Sequence, residues 1–183
     1  MGGTSDPRSD QNLVRDIRAG DETAFDALYF RWRDWVVSLA YRFTLNHDDS
    51  LDVLQETFAY LVRKGSSLQL TASMKTFLYP VVRHLSLEII RKRRRISESK
   101  DLIDELPAPP PLAPSRNLSD LAQVLSNLPS THREVLLLRF VDDLKIDEIA
   151  RALSIPPGTV KSRLHNGLQM LRNDPLARRY FEP

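Results

Sequence analysis

Residues 128–172 read LPSTHREVLLLRFVDDLKIDEIARALSIPPGTVKSRLHNGLQMLR, and this stretch decides the fold of the C-terminal part of the chain. Three segments in it, Ser130–Phe140, Ile146–Leu153 and Gly158–Arg172, repeat apolar residues at three- and four-residue steps, the period of a helix packed on one side. In the middle segment the stripe is Ile146, Ile149, Ala150 and Leu153. Ser154 and Ile155 make a turn, and Pro156, Pro157 and Gly158 prepare a new helix, since proline suits a first turn whose N–H groups lack partners anyway.

At about 100° per residue, Val160, Leu164, Leu168 and Leu171 fall on one side of the last helix. Ser162, His165, Asn166 and Gln169 fall on the other, flanked by Lys161 and Arg163, and no carboxylate occurs from Gly158 to Arg172. Two helices joined by a short turn, the second carrying amides and cations outward, have the form of a helix-turn-helix that lays its second helix in a DNA major groove. Short polar side chains reach base edges there, while flanking cations meet phosphates and fix the register. An ordinary amphipathic helix also turns its polar residues to water. The PPGTVKSRL segment and the missing acid favour DNA. Thr159 fits either a helix cap or a DNA contact, and His165 fits either a DNA contact or a plain solvent-exposed histidine.

Outward from this stretch, the 183 residues are 42% apolar, enough for a core or two. There is no cysteine, which excludes disulfides and cysteine zinc sites and fits a reducing cytosol. No apolar run approaches the ~18 residues of a membrane span, and MGGTSDPRSD has no apolar signal core, so a cytoplasmic protein is expected. The net charge is only +2, but Arg91, Lys92, Arg93, Arg94 and Arg95 form one cationic block, followed by Glu98, Asp101, Asp104 and Glu105. Two basic surfaces suggest two contacts with one polyanion, although the block alone equally fits a solvated helix end.

No strand pattern appears, and the expected fold is all-α: two small helical domains joined by a proline-rich linker. Residues 1–9 are expected to be disordered, 10–95 to form the first domain, 96–117 the linker, 118–173 the second domain and 174–183 a tail. The linker holds Pro107, Pro109, Pro110, Pro111 and Pro114, which exclude a continuous helix. The first helix runs over Asp10–Ala19 and stops at Gly20. Asp21 caps a long second helix whose apolar face is Phe25, Leu28, Trp32, Trp35, Val36, Leu39 and Phe43. Asn46, His47 and Asp48 break the chain before a third helix, Asp49–Lys64, which Gly65 ends. Ser66–Ser73 is a loop, a fourth helix starts near Met74, and another is expected near Leu118–Leu128.

On the third helix Leu51, Leu54, Phe58, Leu61 and Val62 share the predicted buried side. Asp52, Val53, Glu56 and Tyr60 fall opposite, where acid mixed with apolar surface fits a partner-binding helix, or else Val53 and Tyr60 pack on the first helix. On the fourth, Leu78, Val82, Leu85 and Ile89 form the predicted core face, and Phe77, His84 and Arg91 lie a heptad apart elsewhere. Interleaved aromatic and cationic groups suit unstacked bases, whose stacking is worth roughly 1–3 kcal/mol each. Phe77 in the core and 91–95 as a soluble tail is the plainer reading. Pro80 predicts a kink or restart near Tyr79–Pro80.

The wording LP…REV…L…EIA…L…GTVKSR closely resembles region 4 of bacterial RNA polymerase sigma factors of the extracytoplasmic-function (ECF) group of the sigma-70 family, and DVLQETF resembles their region 2.2. The resemblance runs in the right order over about Asp10–Arg172. It implies a transcription initiation factor that directs core polymerase to promoters. Thr159, Lys161, Ser162, Arg163, His165 and Asn166 would read the −35 element. Lys75, Phe77, Tyr79, Arg83, His84 and Arg91 would capture and melt the −10 element, with Gly65–Ala72 forming a pocket for a flipped base. Asp52, Gln55, Glu56 and Phe58 would bind core polymerase. The implied partners are the β′ clamp helices and β flap of that polymerase, promoter DNA and an anti-sigma factor, without membrane, cofactor or metal. The linker would thread near the polymerase active-site channel, its acids mimicking nucleic acid. The family usually has tryptophan at Phe77, asparagine at His84 and aspartate at Glu88, departures that bear on promoter sequence and melting.

Two other classes compete. A stand-alone helix-turn-helix regulator would not need the DVLQETF helix or the Phe77/His84/Arg91 face, and would usually need a dimer interface. An enzyme is disfavoured: His47, His84, His132 and His165 lie far apart, and neither a glycine-rich phosphate loop nor a nucleophile elbow occurs.

Overall fold

The computed structural model describes residues 6–100, 124–175 and 177–178, the side chains of 96–100 excepted. All its elements are helical. The chain divides into two compact units, Met1–Glu105 and Leu106–Pro183. The first holds α1 (Asp10–Arg18), α2 (Glu22–Thr44), α3 (His47–Lys64), a 3₁₀ turn (Gly65–Ser67) and α4 (Met74–Lys100). The second holds α5 (Ser130–Phe140), α6 (Ile146–Leu153) and α7 (Pro157–Asn173), with a helical turn at 124–127 before them. The expected linker beyond residue 100, most of the helix expected near 118–128, residues 1–5 and 179–183 lie outside the described residues.

The core of the first unit is a three-way contact of α2, α3 and α4. α2 contributes Ala24, Leu28, Val36, Leu39 and Ala40; α4 contributes Met74, Leu78, Tyr79 and Val82, all buried. α1 lies on α2 through Leu13 and Val14. Each fully buried Leu or Val contributes about 1.5–3 kcal/mol relative to exposure. α3 is set differently from its expected face. Its buried residues are Ser50, Val53, Leu54, Thr57, Phe58 and Leu61, whereas Leu51 is 37% and Val62 59% exposed. The expected opposition of Val53 to the core is therefore overturned, because small hydroxyl residues share the inner face with the aliphatics. Ser50 donates to the Asn46 carbonyl at 2.6 Å and lies 2.9 Å from the Thr44 hydroxyl, so its polarity is satisfied where α2 turns into α3.

The helix ends follow the expected chemistry, with small shifts. Asp21 accepts from the Thr23 and Ala24 N–H groups, and Asn46 caps α3 by accepting from the Asp49 N–H. α3 thus begins at His47, two residues before the expected start. Gly65 ends it with φ 43°. The helix restart expected at Pro80 does not occur: α4 runs through an exposed Pro80 and continues to Lys100, into the residues assigned to the linker.

Residues 6–9, expected to be disordered, are instead tied to the first unit. The Arg8 guanidinium donates to Asp6, Asp16 and Asp21, and Arg31 donates to the Asp10 carboxylate and to the Asp6 and Arg8 carbonyls. Hydrogen bonds from the Arg8 side chain and backbone hold the Asp6 carboxyl down to about 2 from 3.8. The Asp21 carboxyl is also lowered, by the Thr23 hydroxyl first and Arg8 second. A lowered carboxyl stabilises the folded state fully above its ordinary value and ceases to do so as the pH falls through its folded value. The melting temperature of the first unit should therefore drop on acidification from 3.8 towards about 2. Arg8→Ala should flatten that part of the profile, and calorimetric melts of both proteins across this window test the assignment.

In the second unit α5 buries Val135, Leu136 and Leu138, α6 buries Ile149, Ala150 and Ala152, and α7 closes the core with Val160. The Lys145 N–H donates to the Glu148 carboxylate at 2.9 Å, fixing the start of α6. α6 ends on Ser154 in the left-handed region, φ 55°, with its N–H turned back to the Ala150 and Arg151 carbonyls. Pro156 caps α7 and Pro157 is its first residue. At Gly167 a Cβ would sit 2.9 Å from Leu136 Cδ1 and 3.4 Å from His132 Cβ, so α7 and α5 approach closely there.

Candidate nucleic-acid and polymerase interfaces

α6, the Ser154–Pro156 turn and α7 form the helix-turn-helix read from the sequence. Lys161, Ser162, His165, Asn166 and Gln169 are exposed on α7, and Thr159 and Arg163 are half-buried. Val160 is buried and Leu164, Leu168 and Leu171 are half-buried, so the expected apolar side faces the core, and Gly167, outside that expectation, is buried with them. The Ser162 hydroxyl donates to the Thr159 carbonyl at 3.0 Å. Because Pro156 is the cap, Thr159 lies inside the first turn rather than capping it. This half-buried threonine and the exposed residues after it make a polar, acid-free surface able to donate to base edges and phosphates.

On α4, Arg83, His84 and Arg91 are exposed, while Lys75 and Phe77 are half-buried. His84 Nε2 lies 3.5 Å from Glu88 Oε1 one turn on. Tyr79 does not belong with them. It is 2% exposed, its ring 6.3 Å from that of Phe43, and it is a core residue. Its place among the strand-capturing residues is corrected on burial alone: its ring faces the core. In the cationic block, Arg91, Lys92 and Arg94 are exposed, and Arg93 forms an ion pair with Asp49 of α3 at 2.7 Å.

On α3, Asp52, Gln55 and Glu56 are exposed in one group, with Glu56 3.5 Å from Arg63. Phe58 is again a core residue, 4% exposed and packed edge-on against Tyr29 at 4.8 Å and Phe25 at 6.1 Å. Its place in a partner-binding set is corrected: it holds the helix in position from behind. The apolar surface beside the acids comes from Leu51 and Val62. Among the described residues no helix is long and apolar enough to cross a membrane.

Two further features, the close approach at Gly167 and the Arg93–Asp49 pair, lie outside what the sequence predicts. A glycine inside an otherwise regular amphipathic helix costs ~1 kcal/mol relative to alanine, and that conflict signals a close helix contact. The ion pair joins residues 44 apart, and no local pattern announces it.

A helical unit carrying an acidic helix beside a cationic one, followed by a helix-turn-helix unit, defines a DNA-binding protein of transcription. Sigma-70 region 2 matches residues 28–96, and Sigma-70, region 4 matches residues 118–171. The chain is 30% identical to the ECF RNA polymerase sigma-E factor of Escherichia coli (strain K12), over 96% of this chain and 100% of that protein. It is 27% identical to the ECF RNA polymerase sigma factor SigW of Bacillus subtilis (strain 168), over 87% of this chain and 92% of that one. The fold is similar to that of the sigma factor RpoE, solved in complex with the anti-sigma factor NepR from Bartonella quintana. The TM-score is 0.61 at 22% identity, covering 82% of this chain and 98% of that one. This chain belongs to the ECF group of the sigma-70 family of RNA polymerase sigma factors. A stand-alone helix-turn-helix regulator is not favoured, since both sigma-70 regions are matched.

Proposed function

We propose that the chain brings core RNA polymerase to promoters by gripping DNA at two points. Residues 118–173 act as region 4, and α7 reads the −35 element through Thr159, Lys161, Ser162, Arg163, His165 and Asn166. Residues 10–95 act as region 2. Lys75, Phe77, Arg83, His84 and Arg91 capture the −10 strand as it opens, and Asp52, Gln55 and Glu56 dock on the β′ clamp helices. Residues 96–117 join the two, with the β flap as the second polymerase contact. The protein does no covalent chemistry; it works by binding the opened promoter better than the closed one. An anti-sigma factor holds it inactive in the cytoplasm until released, when it joins polymerase on the nucleoid. The observation that carries this reading is the sorted surface of α7, with core residues on one side and exposed cations, hydroxyls and amides without acid on the other.

Run-off transcription with core polymerase on promoters mapped after overexpression tests the proposal. Lys161→Ala should weaken holoenzyme binding on all promoters and reduce the salt slope by about 0.9, the release of one duplex counterion. Asn166→Ala should relax preference at one −35 position by about 1–3 kcal/mol. A uniform loss across −35 variants for Asn166→Ala would remove this residue from base readout, and absence of specific initiation would sink the whole reading.

A further inference from the structure

The block Arg91–Arg95 looks like five equivalent cations, but the structure sets Arg93 apart from Arg91, Lys92 and Arg94. Arg93 reaches across to α3 and donates to the Asp49 carboxylate at 2.7 Å. The Asp49 side chain is only 16% exposed, against 59% for Arg93. Asp49 itself is fixed, because its N–H is held by the Asn46 cap at 2.9 Å and its carboxylate lies in the first turn of α3, where the helix dipole favours negative charge. The guanidinium thus has a largely buried partner on a capped stretch of backbone, and leaving it for a phosphate would strand that carboxylate. Arg91, Lys92 and Arg94 are exposed, and among the described residues no ion pair is seen for them.

We propose that Arg93 is a positioning residue and not a phosphate contact. Through Asp49 it fastens the cationic end of α4 to the start of α3, one turn before the exposed Asp52 and two before Gln55 and Glu56. The helix that docks polymerase therefore sets the aim of the helix that captures DNA. This inference rests on the reading of α4 as a DNA surface and of α3 as a polymerase surface.

The test uses holoenzyme reconstituted from core polymerase and full-length chain. The probe is a fork-junction DNA built from the upstream region of a transcript that overexpression induces, with binding measured over a range of salt. Arg91→Ala should lower the slope of log affinity against log salt by about 0.7 to 0.9, as loss of one phosphate contact does. Arg93→Ala should leave the slope unchanged while weakening binding several-fold. Asp49→Asn should give the same several-fold loss with unaltered affinity for core polymerase. The Asp49→Asn/Arg93→Ala double variant should be no worse than either single one, the signature of a coupled pair. A slope drop for Arg93→Ala equal to that of Arg91→Ala would overturn the proposal. So would additive losses, or full affinity in both single variants. If Arg91→Ala also leaves slope and affinity untouched, the reading of α4 as a DNA surface fails instead. Thermal melts of each variant separate misfolding from misaiming, because a variant that melts like the parent yet binds less well has lost aim alone.

Discussion

Tyr79→Ala is expected to destabilise the first unit by about 3–5 kcal/mol, the cost of deleting a large buried aromatic ring. The side chain is 2% exposed and faces Phe43 across the contact of α2 with α4, so its removal opens a cavity that the flanking helices cannot close without shifting. For a unit of this size the melting temperature should fall by on the order of 15 °C or more. The loss should appear in the transition of the first unit and leave that of the second in place, since each unit has its own core. Scanning calorimetry of the variant checks this directly. A Tyr79→Ala protein that melts like the parent but fails to open promoters would mean that the ring is a surface group after all.

Gly167→Leu is the second large effect. A Cβ alone would meet Leu136 Cδ1 at 2.9 Å, so a full leucine must drive α7 away from α5. Overpacking of this kind costs about 1–3 kcal/mol. Replacing glycine inside a helix returns up to ~1 kcal/mol through propensity, leaving a net loss. Gly167→Ala is milder: the atom it meets first is the end of a flexible side chain, and the propensity gain offsets the contact. The expected order of both melting temperature and affinity for −35 DNA is therefore glycine and alanine close together, leucine well below. Chemical denaturation and binding to a −35 duplex in the holoenzyme measure the two. Unchanged DNA binding by Gly167→Leu would show that the height of α7 over α5 does not matter to reading.

Among the described residues, α5, α6 and α7 were legible almost to the residue, because their amphipathic stripes are short, regular and bounded by proline and serine. α5 and α6 begin and end where the spacing predicts, and α7 extends its expected span by one residue at each end. The first unit was legible as helices but less so as faces. α3 is covered by both α2 and α4, so its buried arc is wide, and hydrophobicity alone centred it on Leu51 and Val62 instead of Ser50 and Thr57. Hydroxyl residues at a close helix contact carry no apolar signal. Family wording places Phe58 and Tyr79 in binding sets, whereas their burial assigns them to supporting those surfaces from within. The Arg8 cluster and the Arg93–Asp49 pair depend on tertiary proximity, which no spacing rule encodes.

The two prolines ahead of α7 bear on how fast the protein can find its site. Pro156 and Pro157 fix φ at two successive positions, and the Thr159 N–H is already bonded to the Pro156 carbonyl at 2.9 Å. Ordering a flexible backbone would cost about 1–2 kcal/mol per residue at the moment of contact. Here the corner is ordered without DNA, so on the proposed reading of α7 it need not be folded against the groove. Capture should be governed by diffusion and charge, and promoters of different strength should differ mainly in how long the bound complex lasts.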